Sequence, residues 1–142
     1  MNQSLILMAI LFSIQTTAQA AFIRFSNPEG IFLEKYVSQD EFKKSVGTLT
    51  VEALQQEAIM GKTCFDGSEK GITEIGDYGA LKAALSPKKT VVYGWCYTVN
   101  GKMPDTAADQ VFLTSNDDEV RWFYGYMVNK NGHWSRRCKP IK

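Results

Sequence analysis

Few side chains in this 142-residue chain are of a type that does chemistry: one histidine, three cysteines and scattered acids. His133 follows the Asn131-Gly132 turn signal, and its nearest charged neighbours are cations, with no adjacent acid to orient the ring. It reads as a surface histidine. Cys64 or Cys96 could serve as a nucleophile with His133 only if that thiol stays reduced and within hydrogen-bond reach of the ring. Asp117 with Glu119, and Asp105 with Asp109, are carboxylate pairs of the kind that perform general acid–base work or bind calcium. Neither pair carries the run of oxygen ligands a calcium loop needs, and turn formation accounts for both, as it does for Asp66-Gly67-Ser68. No metal site, phosphate cradle or catalytic set is expected, so the chain reads as a non-enzyme.

The aromatic residues are the stronger lead. Tyr93, Trp95, Tyr97, Phe112, Trp122, Phe123, Tyr124, Tyr126 and Trp134 all fall in the last third of the chain. Large rings fill small cores, and cross-strand aromatic pairs each contribute about 0.2–1 kcal/mol. Nine rings nevertheless exceed what one helix-covered sheet face needs. Part of the set is therefore expected on an exposed face, as a platform that stacks on a flat ligand, a sugar or a protein partner. The candidate binding residues are Tyr93, Trp95, Tyr97, Trp122, Tyr124 and Trp134, with Arg121 flanking them as a polar contact.

The elements that must position these rings follow from periodicity. Val91, Tyr93, Trp95, Tyr97 and Val99 alternate with Val92, Gly94, Cys96 and Thr98, as a strand requires, and Asn100-Gly101 supplies a turn. Gln110–Thr114 is predicted as a short return strand. Val120–Val128 alternates again, with Val120, Trp122, Tyr124 and Tyr126 on one side, and a short strand at His133–Ser135 leads to Cys138. Upstream, Asn27-Pro28-Glu29-Gly30 joins two strands into a hairpin, and Ser38 with Glu41 forms a capping box for a short helix through about Lys44. Thr50 is placed to cap a helix over Val51–Met60, with Val51, Leu54 and Ala58 on one face and Gly61 as its stop. Asp77 is placed to cap a further helix over Tyr78–Leu85, ended by Pro87. Hairpin, helix, helical insertion, second hairpin and closing strand is the order of a β-grasp: an α+β fold in which one main helix covers a mixed sheet.

Residues 1–20 are predicted to be a signal peptide, with an apolar stretch from Leu5 to Ile14 and Ala18-Gln19-Ala20 before a cleavage site at Ala21. Residues 21–142 are expected to form one domain in the periplasm or outside the cell. No segment is apolar for the roughly 20 residues a bilayer span takes. Lys plus Arg number 16 against 15 Asp plus Glu, so a net charge of +1 predicts no general attraction to nucleic acid or anionic lipid. The end is uneven: Lys130, Arg136, Arg137, Lys139 and Lys142 follow one another with no acid between them. That tail is read as a solvated end, with an acidic partner's docking patch as the alternative. Three cysteines in an exported chain predict one bridge and one remaining thiol; Cys96–Cys138 is favoured, and Cys64–Cys138 stays open.

Gly47-Thr-Leu-Thr-Val-Glu-Ala-Leu54, Gly71-Ile-Thr-Glu-Ile75, Trp95-Cys-Tyr-Thr-Val-Asn-Gly101 and Asp118-Glu-Val-Arg-Trp-Phe-Tyr124 stand in an order that resembles the transcobalamin-like C-terminal domain family, over roughly Phe22 to Met127. The resemblance implies a β-grasp-like sheet with a covering helix, and it implies a corrinoid as ligand. In the vitamin carriers this domain closes over the corrinoid opposite a helical barrel, of which this chain carries no sequence. A lone domain would leave one corrinoid face open to water. The leading expectation is an exported, non-enzymatic module that binds a small molecule, glycan or protein through its aromatic sheet face. The alternative is a structural or assembly protein joined through the odd thiol or a sheet edge. A thiol-dependent enzyme is the third reading.

Overall fold

Asn27-Pro28-Glu29-Gly30 turns as its composition predicts, joining β1 (Ala21–Asn27) and β2 (Gly30–Val37) into an antiparallel hairpin. The computed structural model describes residues 20–141, so the predicted signal peptide lies outside the described residues except for Ala20. In β1 every second side chain is buried (Ala21, Ile23, Phe25), the period-two burial of a strand with one covered face. The capping box at Ser38 and Glu41 forms, with Glu41 accepting the Ser38 backbone N–H at 3.1 Å, but it closes a 3-10 turn over Gln39–Lys43.

The main helix, α1 (Val46–Ile59), begins earlier than its sequence suggests. Ser45 caps it, accepting the Thr48 backbone N–H at 3.0 Å, and Gly47 sits inside its first turn. A side chain at Gly47 would overlap the Glu69 carbonyl, so glycine here lets the 69–70 turn pack against the helix start. Val46, Leu49, Ala53 and Leu54 are the buried face. Thr50 lies on that face too, where its Oγ1 accepts the Trp122 indole N–H at 2.8 Å.

The expected helix over Tyr78–Leu85 is not formed. The chain instead builds a three-stranded antiparallel sheet from β3 (Phe65–Ser68), β4 (Gly71–Ile75) and β5 (Tyr78–Gly79), then an edge strand β6 (Leu81–Ser86). Leu81 and Leu85 would share one face of such a helix, yet they are 60% and 59% exposed. Among the described residues no layer covers them, whereas the free edge of β7 (Lys89–Val99) offers backbone partners from Tyr93 to Lys89.

β7 pairs in full with β8 (Glu119–Lys130), setting Tyr93 opposite Tyr126, Trp95 opposite Tyr124 and Tyr97 opposite Trp122. The predicted return strand at Gln110–Thr114 is absent: a 3-10 turn over Ala108–Gln110 leads to a single bridge between Phe112 and Ser45. The long connection is fixed by Asp118, whose carboxylate accepts from Asn100 Nδ2 at 2.8 Å and from the Thr114 and Ser115 backbone N–H groups at 2.7 and 3.0 Å. Burial pushes the Asp118 carboxyl up, but these donors outweigh it and hold it below its ordinary value.

The large sheet runs β2-β1-β8-β7-β6, with β1 parallel to β8 and every other pair antiparallel. A parallel pair of first and late strands under a covering helix is the β-grasp arrangement, within a mixed α+β fold. β8 extends beyond the end of β1, and there its edge takes the two-residue strands β9 (His133–Trp134) and β10 (Lys139–Pro140). The disulfide is Cys96–Cys138, which leaves Cys64 free and exposed.

Candidate functional site

The two faces of the large sheet have different fates. Tyr93, Trp95, Tyr97, Trp122 and Tyr124 all project from the face under α1 and the small sheet. Trp122 is 2% exposed, stacked on Tyr97 at 4.8 Å between ring centroids. Trp95 and Tyr124 are also buried, 5.7 Å apart, and each reaches up to β5: the Trp95 indole N–H donates to the Tyr78 carbonyl at 2.8 Å and the Tyr124 hydroxyl to the Gly79 carbonyl at 2.7 Å. Tyr97 donates to the Thr106 carbonyl at 2.8 Å, and half-buried Tyr93 packs on Tyr126. Trp95, Trp122 and Tyr124 are core and Tyr93 and Tyr97 pack half-buried against it, which corrects their reading as an exposed platform. The sequence showed more rings than one helix covers; the surplus is taken by the second cover, the β3–β5 sheet, which was not foreseen.

The phenols of Tyr97 and Tyr124 are also poor acid–base groups. Burial pushes the Tyr124 hydroxyl up, with Tyr93 and Tyr78 adding to it, and burial with the Asp109 charge does the same to Tyr97. Cys96 is locked in the disulfide and cannot be a nucleophile. Cys64 precedes the small sheet, whereas His133 lies in β9 of the large one. Among the described residues no group of His, Cys, Asp and Glu is placed to hold a metal ion.

Of the candidate set, Arg121 and Trp134 remain on the opposite, open face. There the disulfide passes over β8 beside Gly125, where an added Cβ would lie 2.8 Å from Cys138 Sγ and 2.6 Å from the Lys139 carbonyl oxygen. It divides the face into two hollows, both bordered by Cys138. The smaller, about 310 Å³, is apolar: Val92, Gly94 and Met127 form its floor and the 51%-exposed Trp134 its side.

The larger hollow is a groove of about 1050 Å³. Its floor is Thr98, Arg121 and Phe123, with Ser26 at the margin. One wall is the segment after the Asn100-Gly101 turn, bringing Lys102, Met103, Pro104 and Asp105; the other is the returning tail with Arg136, Arg137 and Pro140. Arg24 and Arg121 stand opposite each other on the parallel pair, and Glu119 bonds to Arg121 and lies 3.7 Å from Arg24. The Glu119 carboxylate lies between two guanidiniums that would otherwise repel across the strands, and Arg24 also pairs with Glu34 at 2.6 Å. Arg136 and Arg137 are exposed and find no acidic partner among the described residues.

Sequence reasoning missed Arg136 and Arg137 as wall residues, although it singled out the basic tail. The signal was Cys96, which alternates away from the rings: a bridge from it to Cys138 necessarily draws the tail to the open face.

Residues 50–126, from within α1 through most of β8, match the family described as a domain of unknown function (DUF4430), which is grouped with the transcobalamin-like family. The groove's tail wall lies outside that match. No curated protein matches the chain. Among solved structures, a candidate metal binding protein from Ruminococcus gnavus is similar at 19% identity with a TM-score of 0.45, over 75% of this chain and 95% of that one.

Proposed function

This chain belongs to the DUF4430 family, whose function is unknown, and we propose that it is an exported, non-catalytic binding module that receives its ligand on the open face of the sheet. One observation carries the reading: the covered face holds five of the candidate rings in its packing, and the uncovered face keeps a groove of about 1050 Å³ with Arg121 and Phe123 on its floor. Pockets for small molecules measure about 300–1000 Å³ and combine apolar lining with a few directed polar groups, as this one does. A disulfide and the lack of a helix long and apolar enough to cross a membrane, among the described residues, are compatible with export. Corrinoid binding, implied by the family resemblance, becomes one arm of the test.

The test is thermal unfolding with cyanocobalamin, haemin and an oligosaccharide panel, repeated on Arg121→Ala and Phe123→Ala. A native-state ligand at 100 times its dissociation constant adds about 2.7 kcal/mol, which raises the midpoint by several degrees. Stabilisation by a member of the panel that both substitutions abolish supports the groove. Stabilisation that neither touches refutes it. The exposed free Cys64 favours one rival, covalent assembly; a monomeric mass under non-reducing conditions counts against that rival.

A further inference from the structure

We infer that the open-face groove is an anion site whose occupant is a small molecule bearing a carboxylate or phosphate group on an apolar body. The inference rests on the binding-module reading above and narrows it.

Charge is the first observation. The chain as a whole is nearly neutral, at +1, yet Lys102, Arg121, Arg136 and Arg137 converge on this groove from three separate segments. The acids among them are Asp105 and Glu119, and Glu119 is already shared between Arg24 and Arg121. Arg136 and Arg137 are left with donors directed at solvent along one wall. Arginine forks bind carboxylate and phosphate oxygens in pairs, which a hydrated lysine does less well.

Composition of the floor is the second. Phe123, Met103, Pro104 and Pro140 give the groove apolar surface that an inorganic ion would leave uncovered. An occupant matching both features is amphipathic: its anionic group against Arg136 and Arg137, its body across Phe123. The third observation is rigidity. The arginine wall precedes Cys138, and the bridge to Cys96 ties that wall to β7. A wall fixed before binding loses little freedom when the ligand arrives.

The test uses two fluorescent probes of the same shape, 8-anilinonaphthalene-1-sulfonate and the uncharged N-phenyl-1-naphthylamine, on residues 21–142 with the disulfide intact. Saturable binding of the sulfonate, weakened about tenfold in an Arg136→Ala/Arg137→Ala double variant and restored only in part by Lys at both positions, is the expected result. Binding should weaken further as salt rises from 50 to 200 mM, since these charges are exposed. A Trp134→Ala variant should bind the sulfonate unchanged; loss in that variant would place the probe in the apolar hollow and overturn the proposal. Displacement by decanoate and decyl phosphate, but not by decanol, is expected, and the more potent of the two anions identifies the source of the charge. If both probes bind equally and only Phe123→Ala weakens them, the anion inference fails while the groove stands as a binding site. If neither probe saturates and neither decanoate nor decyl phosphate stabilises the fold, the anion inference fails, and the binding-module reading stands or falls on the cyanocobalamin, haemin and oligosaccharide panel. Circular dichroism on each variant separates loss of binding from loss of fold.

Discussion

Removing the Cys96–Cys138 bond with paired alanine substitutions tests how the tail is held. The bond closes a loop of 42 residues, and the chain-entropy relation assigns such a loop about 4 kcal/mol at 25 °C through restriction of the unfolded chain. The native tail has other anchors. Ser135 donates to the Val128 carbonyl at 2.7 Å and accepts the Val128 backbone N–H at 3.0 Å, while the Ile141 backbone N–H reaches the Tyr124 carbonyl at 3.3 Å. Native geometry should therefore largely survive, and the loss should come from the unfolded side. A domain of this size is stable by only about 5–15 kcal/mol, so the change is a large share of the total. Urea unfolding followed by tryptophan emission reads it directly, because Trp95 and Trp122 are buried in the core. With a slope near 2 kcal/mol/M, the midpoint should fall by roughly 2 M. A loss below about 1 kcal/mol, with the slope unchanged, would refute the account of the bridge as a restraint on the unfolded chain.

Thr50→Val strands the buried Trp122 indole N–H and should cost about 1–3 kcal/mol by urea unfolding, whereas Thr50→Ser, which keeps an acceptor, should cost clearly less. Gly125→Ala places a methyl group against the Lys139 carbonyl and Cys138 sulfur; overpacking of about 1–3 kcal/mol and weaker sulfonate binding are expected, and unchanged values in both would show that the tail yields freely. The Asp118 carboxyl titrates below its ordinary value in the folded chain, so its contribution is present in full above about pH 4 and is lost as pH falls through the folded value. A pH series of unfolding free energies should accordingly fall less steeply in acid for Asp118→Asn than for the parent chain, and parallel curves would contradict the assigned direction.

The strands bearing the rings were readable because period-two alternation with bulky residues admits few other solutions. Trp95, Tyr97, Trp122 and Tyr124 do share one face, as their spacing says. What spacing could not say is whether that face is covered, since this depends on Phe65–Gly79 folding into a second small sheet, a glycine-rich stretch with weak periodicity. Tyr78, Leu81 and Leu85 fit a helical face by number alone, but Tyr78 packs on Tyr124 from the small sheet, and for the exposed Leu81 and Leu85 the backbone bonds offered by the β7 edge decide. Gln110–Thr114 has strand composition, yet β8 matches the whole length of β7 and takes the place beside it. Arg136 and Arg137 become a wall only through the disulfide and the register of β10 on β8, both of them long-range facts.

The parallel pairing of β1 with β8 also governs how the chain acquires its shape. The Ser26 hydroxyl meets the Trp122 carbonyl across 96 residues of sequence, and the middle of the sheet cannot zip until both are in hand. Closing so long a loop precedes any reward from the contacts it makes, which slows folding relative to helical domains of equal size. In an exported chain, the opening hairpin would wait without its lasting neighbour until nearly all of the polypeptide had crossed the membrane.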